Sequence, residues 1–234
     1  MDIPAFNELG FHRKLMYDVL SELFSKKPDE QFLEKLNTEG LFDFLGRTSL
    51  CKEIADRLKI AVENLLVDKV KAKGVCEEFE NLFLIPVADT YIPPIASAFM
   101  GQESRVDGFG RLSEELTTIY GAYGARFSEG KEGVFVFHPD HVTTLFNFMS
   151  FLIEREDGCF KESPILFNDI VCAEKRFFEC FIESWINIFL GELRQRAFSD
   201  FYKLIAAITE KHVSNENSAL GVFHSERRPR ANGK

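Results

Sequence analysis

Apolar residues recur along this chain at three- and four-residue intervals, the period of a helix that turns one face to a core. From Ala5 to Phe24 they fall at Phe6, Leu9, Met16, Val19, Leu20 and Leu23. Lys27-Pro28-Asp29 breaks that stripe, because a proline biases the residue before it away from helical geometry. A second stripe through Phe32, Leu33 and Leu36 is interrupted at Gly40. A third runs from Leu50 to Val70 through Ile54, Leu58, Ala61, Leu65 and Leu66, and a further helix carries Val75, Phe79, Leu82 and Phe83.

The pattern fails from Pro86 to Gly110, where Pro86, Pro93, Pro94, Gly101, Gly108 and Gly110 predict a long ordered loop or hinge. Loops of more than about 12–15 residues are uncommon inside compact domains and are often functional. Periodicity returns from Leu112 to Tyr123. Beyond a connection around Gly130–Gly133, the run VFVF at 134–137 is strand-like but too short and isolated for a sheet. His138-Pro139-Asp140 opens the strongest helix of the second half, with Asp140 as a cap or first-turn residue. Its buried face is Val142, Leu145, Phe146, Met149, Leu152 and Ile153. Ser163-Pro164 begins another helix, with proline at its first position, running past Trp185 to Leu193. The last helix spans Ala197 to Lys211. The fold class expected is therefore all-α: a bundle of about eight helices with a long Pro/Gly-rich connecting loop.

Composition narrows what such a bundle does. Of 234 residues 45% are hydrophobic, enough for one large domain over 1–213, or two subregions joined around 86–110. Residues 214–234 turn polar and read as a disordered tail. A net charge of −9 argues against nucleic acid as a partner, since phosphate contacts need a basic face, and suits a cationic one. No apolar run approaches the length of a membrane span, and the start MDIPAFNELGFHRK lacks the pattern of a secretory signal. The cysteines at 51, 76, 159, 172 and 180 form no CxxC pair and are expected as buried or half-buried free thiols in the cytoplasm.

The sequence carries no recognisable catalytic or metal-binding signature. None of the five histidines follows a glutamate by three positions, as carboxylate-bridged di-metal bundles require, and HExxH is absent. There is no GxSxG elbow. GFG at 108–110 and GAYG at 121–124 lack the remainder of a nucleotide loop. The expectation is a binding protein without catalytic residues, metal or cofactor; the enzyme alternative is a helical metal-dependent hydrolase or oxidase.

Three blocks carry a resemblance: EEFENLFLIP (77–86) followed by DTYIPPIASAF (89–99); HPDHVTTLFNFMSFLIERE (138–156); and FFECFIESWINIFLGEL with DFYKLI (177–205). Together they resemble the redox-enzyme maturation chaperones of the TorD/DmsD/NarJ superfamily, across about residues 75–205. That resemblance implies a cytoplasmic chaperone that holds the twin-arginine leader or apo-form of a molybdenum-containing oxidoreductase subunit until its cofactor is inserted. A NarJ-like assembly factor for a non-exported subunit is the alternative. A homodimer with exchanged helices is compatible with the hinge at 86–110.

A receptor for arginines followed by an apolar segment needs an apolar groove with acidic groups nearby. The candidate peptide-binding residues are Phe79, Phe83, Tyr91, Pro93, Pro94, Ser97 and Phe99 on one side, and Pro139, Asp140 and His141 on the other. Asp140 and His141 are placed to meet a polar or cationic part of the ligand. Phe79 and Phe83 also lie at core spacing, as does Trp185. Asp140 is explained equally by helix capping, and His141 by a bond to the 86–99 loop.

Overall fold

A computed structural model of the chain describes residues 3–38, 40–47, 52–87, 89–100, 103–125 and 138–225. In order the helices are α1 (Ile3–Ser25), α2 (Glu30–Thr38), α3 (Leu41–Arg47), α4 (Lys52–Val67), α5 (Lys69–Phe83), α6 (Glu103–Ala122), α7 (Val142–Glu162), α8 (Pro164–Phe178), α9 (Ser184–Arg196) and α10 (Asp200–Ser225). The fold is all-α, as the periodicity predicts. Among the described residues, the only strand-like pairing is a single antiparallel bridge between Ile95 and His141. None of the described helices is long and apolar enough to cross a membrane. The strand-like run at 134–137 and the Gly130–Gly133 connection lie outside the described residues.

Local chemistry sets the breaks. After Pro28 ends α1, the Asp29 carboxylate accepts from the Phe32 N–H at 2.9 Å and caps α2. Gly40 has φ +66, a left-handed turn that glycine adopts without strain, and α3 follows. The stripe over 50–70 is not one helix. Asp68 adopts extended geometry, and its carboxylate accepts from Val70 and Lys71 at 3.1 Å, so α5 starts afresh. Ser163 caps α8 with Pro164 at its first position. Helix then continues into α9 through a π-helical turn at Glu179–Glu183, where the Trp185 indole N–H donates to the Phe181 carbonyl at 2.7 Å.

The loop expected to reach Gly110 ends earlier, because α6 begins at Glu103; glycines inside a helix cost only about 1 kcal/mol each. The tail expected from 214 is helical as far as Ser225. Val213, Glu216 and Leu220 continue the buried face of α10, and the one inward charge, Glu216, hid that stripe from a hydropathy reading. Of the cysteines, Cys159 is buried and Cys76 half-buried, but Cys172 and Cys180 are exposed; Cys51 lies outside the described residues.

The interior is aromatic. Phe24 of α1, Phe83 of α5, Phe146 of α7, Phe189 of α9 and Tyr202 of α10 meet at ring separations of 5.6–6.3 Å. Each fully buried side chain of this size contributes about 1.5–3 kcal/mol relative to exposure. A second group, Tyr120, Phe148, Phe177 and Phe181, joins α6, α7 and α8. One core thus spans both halves of the chain, and the connection between α5 and α6 is bound against it.

Candidate functional site

The α5–α6 connection is fastened to the start of α7. Ile92 N–H first donates to the Leu82 carbonyl at 2.7 Å, turning the chain back along α5. The segment then runs beside residues 139–142. Ala96 N–H donates to the Asp140 carbonyl and Val142 N–H to the Pro94 carbonyl, both at 2.9 Å. Ser97 N–H donates to Asp140 Oδ2 at 3.0 Å, within a 3-10 turn at Ala96–Ala98. From the other side, the Tyr120 hydroxyl of α6 donates to the Pro139 carbonyl at 2.6 Å. At the far end Arg196, in the last turn of α9, donates to the Tyr91 carbonyl at 2.7 Å.

Asp140 is the centre of this junction and does not cap α7. That helix starts at Val142, and its cap is His141, whose Nδ1 accepts from the Thr143 N–H at 3.1 Å. The accepting nitrogen must be unprotonated, and burial pushes the His141 imidazole down to about 4, so it is neutral. The Asp140 carboxylate instead faces the loop, with Ser97 on one oxygen and His138 Nδ1 on the other. Burial alone would push its pKa upward. The hydrogen bonds from His138 and Ser97 outweigh that and hold it below the ordinary aspartate range. The same bond to Asp140 raises His138.

The signs follow. A lowered Asp140 stabilises the junction above its ordinary pKa, and that stability is lost as pH falls through the folded value. A raised His138 adds stability below about 6.5 that fades as pH rises through its own folded value. Asp140→Ala is expected to cost about 1–3 kcal/mol, since it leaves the buried Ser97 N–H without its acceptor. It should also return the His138 titration, followed by NMR, toward that of a free imidazole. An unchanged His138 titration would mean that the pair does not form.

The ten residues named from the sequence divide into two sets. Phe79 and Phe83 sit in the aromatic core, 5.6 Å apart and against Phe24, Phe189 and Tyr202, so they back the site without facing it. Asp140, His141, Ser97 and Pro94 are also buried, and they hold the loop in shape. Tyr91, Pro93, Phe99 and Pro139 remain partly exposed. Phe99 is stacked on Trp185 at 5.7 Å, which anchors its inner edge to α9.

The structure adds residues that pattern reading passed over. Ile85 and Val87 are 46% and 48% exposed beside Tyr91 in the chain, and Asp89 is an exposed carboxylate with φ +73. Glu78 is buried, and its Oε1 accepts from Phe198 and Ser199 N–H at 2.7 and 3.1 Å, ahead of the N-terminus of α10. His-x-Asp at 138–140 was a readable signal. The Arg196–Tyr91 bond, across 105 positions, had none. Among the described residues, no group of three or more His, Cys, Asp or Glu side chains is disposed to hold a metal.

These bonds hold a partly apolar stretch of surface in shape around Asp140. A family model described as "Nitrate reductase delta subunit" matches residues 48–190, more than half of the chain. A "Chaperone protein TorD" of Shewanella loihica (strain ATCC BAA-1088 / PV-4) is 24% identical over 223 residues, covering 89% of this chain and 93% of that protein. The proteins of the same name from Shewanella sp. strains ANA-3 and MR-4 are each 22% identical over 222 residues, covering 91% of this chain and 96% of theirs. The chain belongs to the nitrate reductase delta subunit family, the TorD/NarJ-type redox-enzyme maturation chaperones, which are not catalysts.

Proposed function

We propose that this chaperone binds the leader peptide, or the N-terminal segment of the apo-form, of a molybdenum-containing oxidoreductase subunit in the cytoplasm. It holds that client until the cofactor is in place. The observation that carries this reading is the 92–99 segment bonded along residues 139–142, because it fixes a peptide-sized face before any ligand arrives. A face ordered in advance loses little conformational entropy on binding.

On this reading Ile85, Val87, Tyr91, Pro93, Phe99 and Pro139 take the apolar part of the peptide. Asp89, the exposed carboxylate of the same loop, takes the arginines. Asp140 acts indirectly, since its charge is already satisfied by His138 and Ser97. The net charge of −9 speeds the encounter with a cationic segment. The family model's description names a nitrate reductase, and the second reading is that the client is a reductase subunit that is not exported.

Calorimetry with a synthetic twin-arginine leader, and with the same peptide bearing glutamines for its arginines, separates the two. Binding that weakens by about tenfold or more without the arginines supports the leader, one lost charge-assisted contact being worth about that much. Equal binding supports the non-exported client. Val87→Asp places a charge on the exposed face without touching the core and is expected to abolish either interaction. If neither peptide binds the folded protein, or V87D binds like wild type, the proposed site is wrong.

A further inference from the structure

Four helices, α1, α7, α8 and α10, meet around a buried guanidinium. Arg13 of α1 donates from Nε and Nη2 to Glu216 of α10 at 3.0 and 2.7 Å. Its Nη1 donates to Glu156 of α7 at 3.0 Å, and Nη2 also donates to Glu174 of α8 at 2.5 Å. All four side chains are 5% exposed or less. Tyr17 and His212 complete the surroundings, edge to face at 4.6 Å. Among the described residues, the ionisable groups facing this point include Arg13 and Tyr17 from α1, Glu156 from α7, Glu174 from α8, and His212 and Glu216 from α10.

Arg13 can satisfy three carboxyl groups geometrically, because a guanidinium carries five N–H donors in a planar fork. It cannot neutralise three charges. Glu156 and Glu174 are bonded to the two Nη nitrogens of the same guanidinium, which brings two buried carboxyl groups side by side. Like charges held that close in a buried site oppose each other's ionisation, which favours a proton on one of them. We infer that Glu156 and Glu174 share one proton that latches α8 to α7, and that releasing it to solvent opens the seam between these helices.

The environment supports this assignment. Burial pushes Glu174 well above the ordinary carboxylate range; Arg13 pulls it down and the neighbouring Glu156 pushes it up again. Glu216 behaves oppositely: burial pushes it up, but the Arg13 charge and hydrogen bond bring it below its ordinary value. His212, pushed down to about 4 by burial, is neutral and supplies no second cation. A raised Glu174 stabilises the fold fully below its unfolded pKa, and that contribution is lost as pH rises through the folded value. The latch therefore weakens on the alkaline side. Once both carboxylates are ionised their repulsion acts across α7 and α8, while the single Arg13 charge is shared among three carboxylates.

Glu174→Gln tests it, because the amide still donates to Glu156 but carries no titratable proton. Urea unfolding is followed from pH 6 to 9.5 for the wild-type chain and E174Q. The wild-type unfolding constant is expected to rise by up to about tenfold per pH unit across part of that range, the limit for one proton, and that of E174Q to rise distinctly less. In parallel, hydrogen exchange in the wild type, corrected for base catalysis, should show α8 amides opening more with rising pH while α9 amides do not. Parallel slopes for the two proteins overturn the latch. So does pH-independent opening of α8, which decides the matter alone if E174Q does not fold.

Discussion

Arg13→Met is expected to cost about 3–5 kcal/mol of stability at pH 8, the range for removing one partner from a buried ion pair. The side chain that remains fills similar space, so the loss is electrostatic. Glu156, Glu174 and Glu216 would lose the guanidinium to which each is bonded. Carboxyl groups deprived of their cation escape the penalty by taking up protons, and they do so more readily in acid. The loss at pH 5 should therefore be clearly smaller than at pH 8, a sign opposite to that of ordinary acid denaturation. Arg13→Lys should recover only part of the stability, since one ammonium cannot present a planar fork to carboxyl groups on three helices. Replacing all four residues together by apolar ones of similar volume should come close to neutral, because no buried charge is then left over. Denaturant unfolding at the two pH values measures each variant. A change for Arg13→Met within about 0.5 kcal/mol at pH 8, the range of an ordinary surface substitution, would show that the cluster does not hold the bundle together.

None of that cluster could be read from the sequence. Arg13 and Glu216 are 203 positions apart, and each sits in a stretch where a charge passes for a solvated helix face. Periodicity reports which face is apolar; it cannot report that an inward charge has met its partner on another helix. The same blindness ended α10 too early, since Glu216 interrupts the stripe that Val213 and Leu220 continue. What depends on local order was legible. Pro28, Gly40 and Ser163-Pro164 sit at helix boundaries because turn and cap chemistry acts within a few residues. At the candidate site, of the two blocks that the structure joins, 92–99 was visible as a departure from helical pattern and 138–140 as the opening of a helix. Their roles were not. A carboxylate just before a helix reads as a cap, and only the tertiary path of the loop shows that Asp140 is spent on Ser97 and His138. Phe79 and Phe83 were legible as either wall or core, and burial places them in the core.

Phe189→Ala is the second large effect expected, about 3–5 kcal/mol for truncating a wholly buried phenylalanine. The ring lies 5.6 Å from Phe24, 6.3 Å from Phe83, 5.6 Å from Trp185 and 5.9 Å from Phe99. It therefore joins α1, α5 and α9 to the loop that carries the proposed peptide face. The surrounding rings are held by separate helices and can close a cavity only in part, which puts the cost toward the upper end of that range. Phe99 is the exception. It sits on a loop, is partly exposed, and loses one of the two rings against which it is braced. Its freedom should increase and peptide affinity fall, even where the variant remains folded. Leu33→Ala separates this from general destabilisation, because Leu33 is equally buried on α2 and should cost a comparable 2–5 kcal/mol. Urea midpoints and peptide affinities of the two variants are compared at a temperature where both are folded. Weaker binding by F189A alone supports a face held in shape through Phe99. Equal affinities for the two would mean that the core stabilises the bundle without setting the geometry of the loop, and that the preorganisation comes from the hydrogen bonds that fasten the loop.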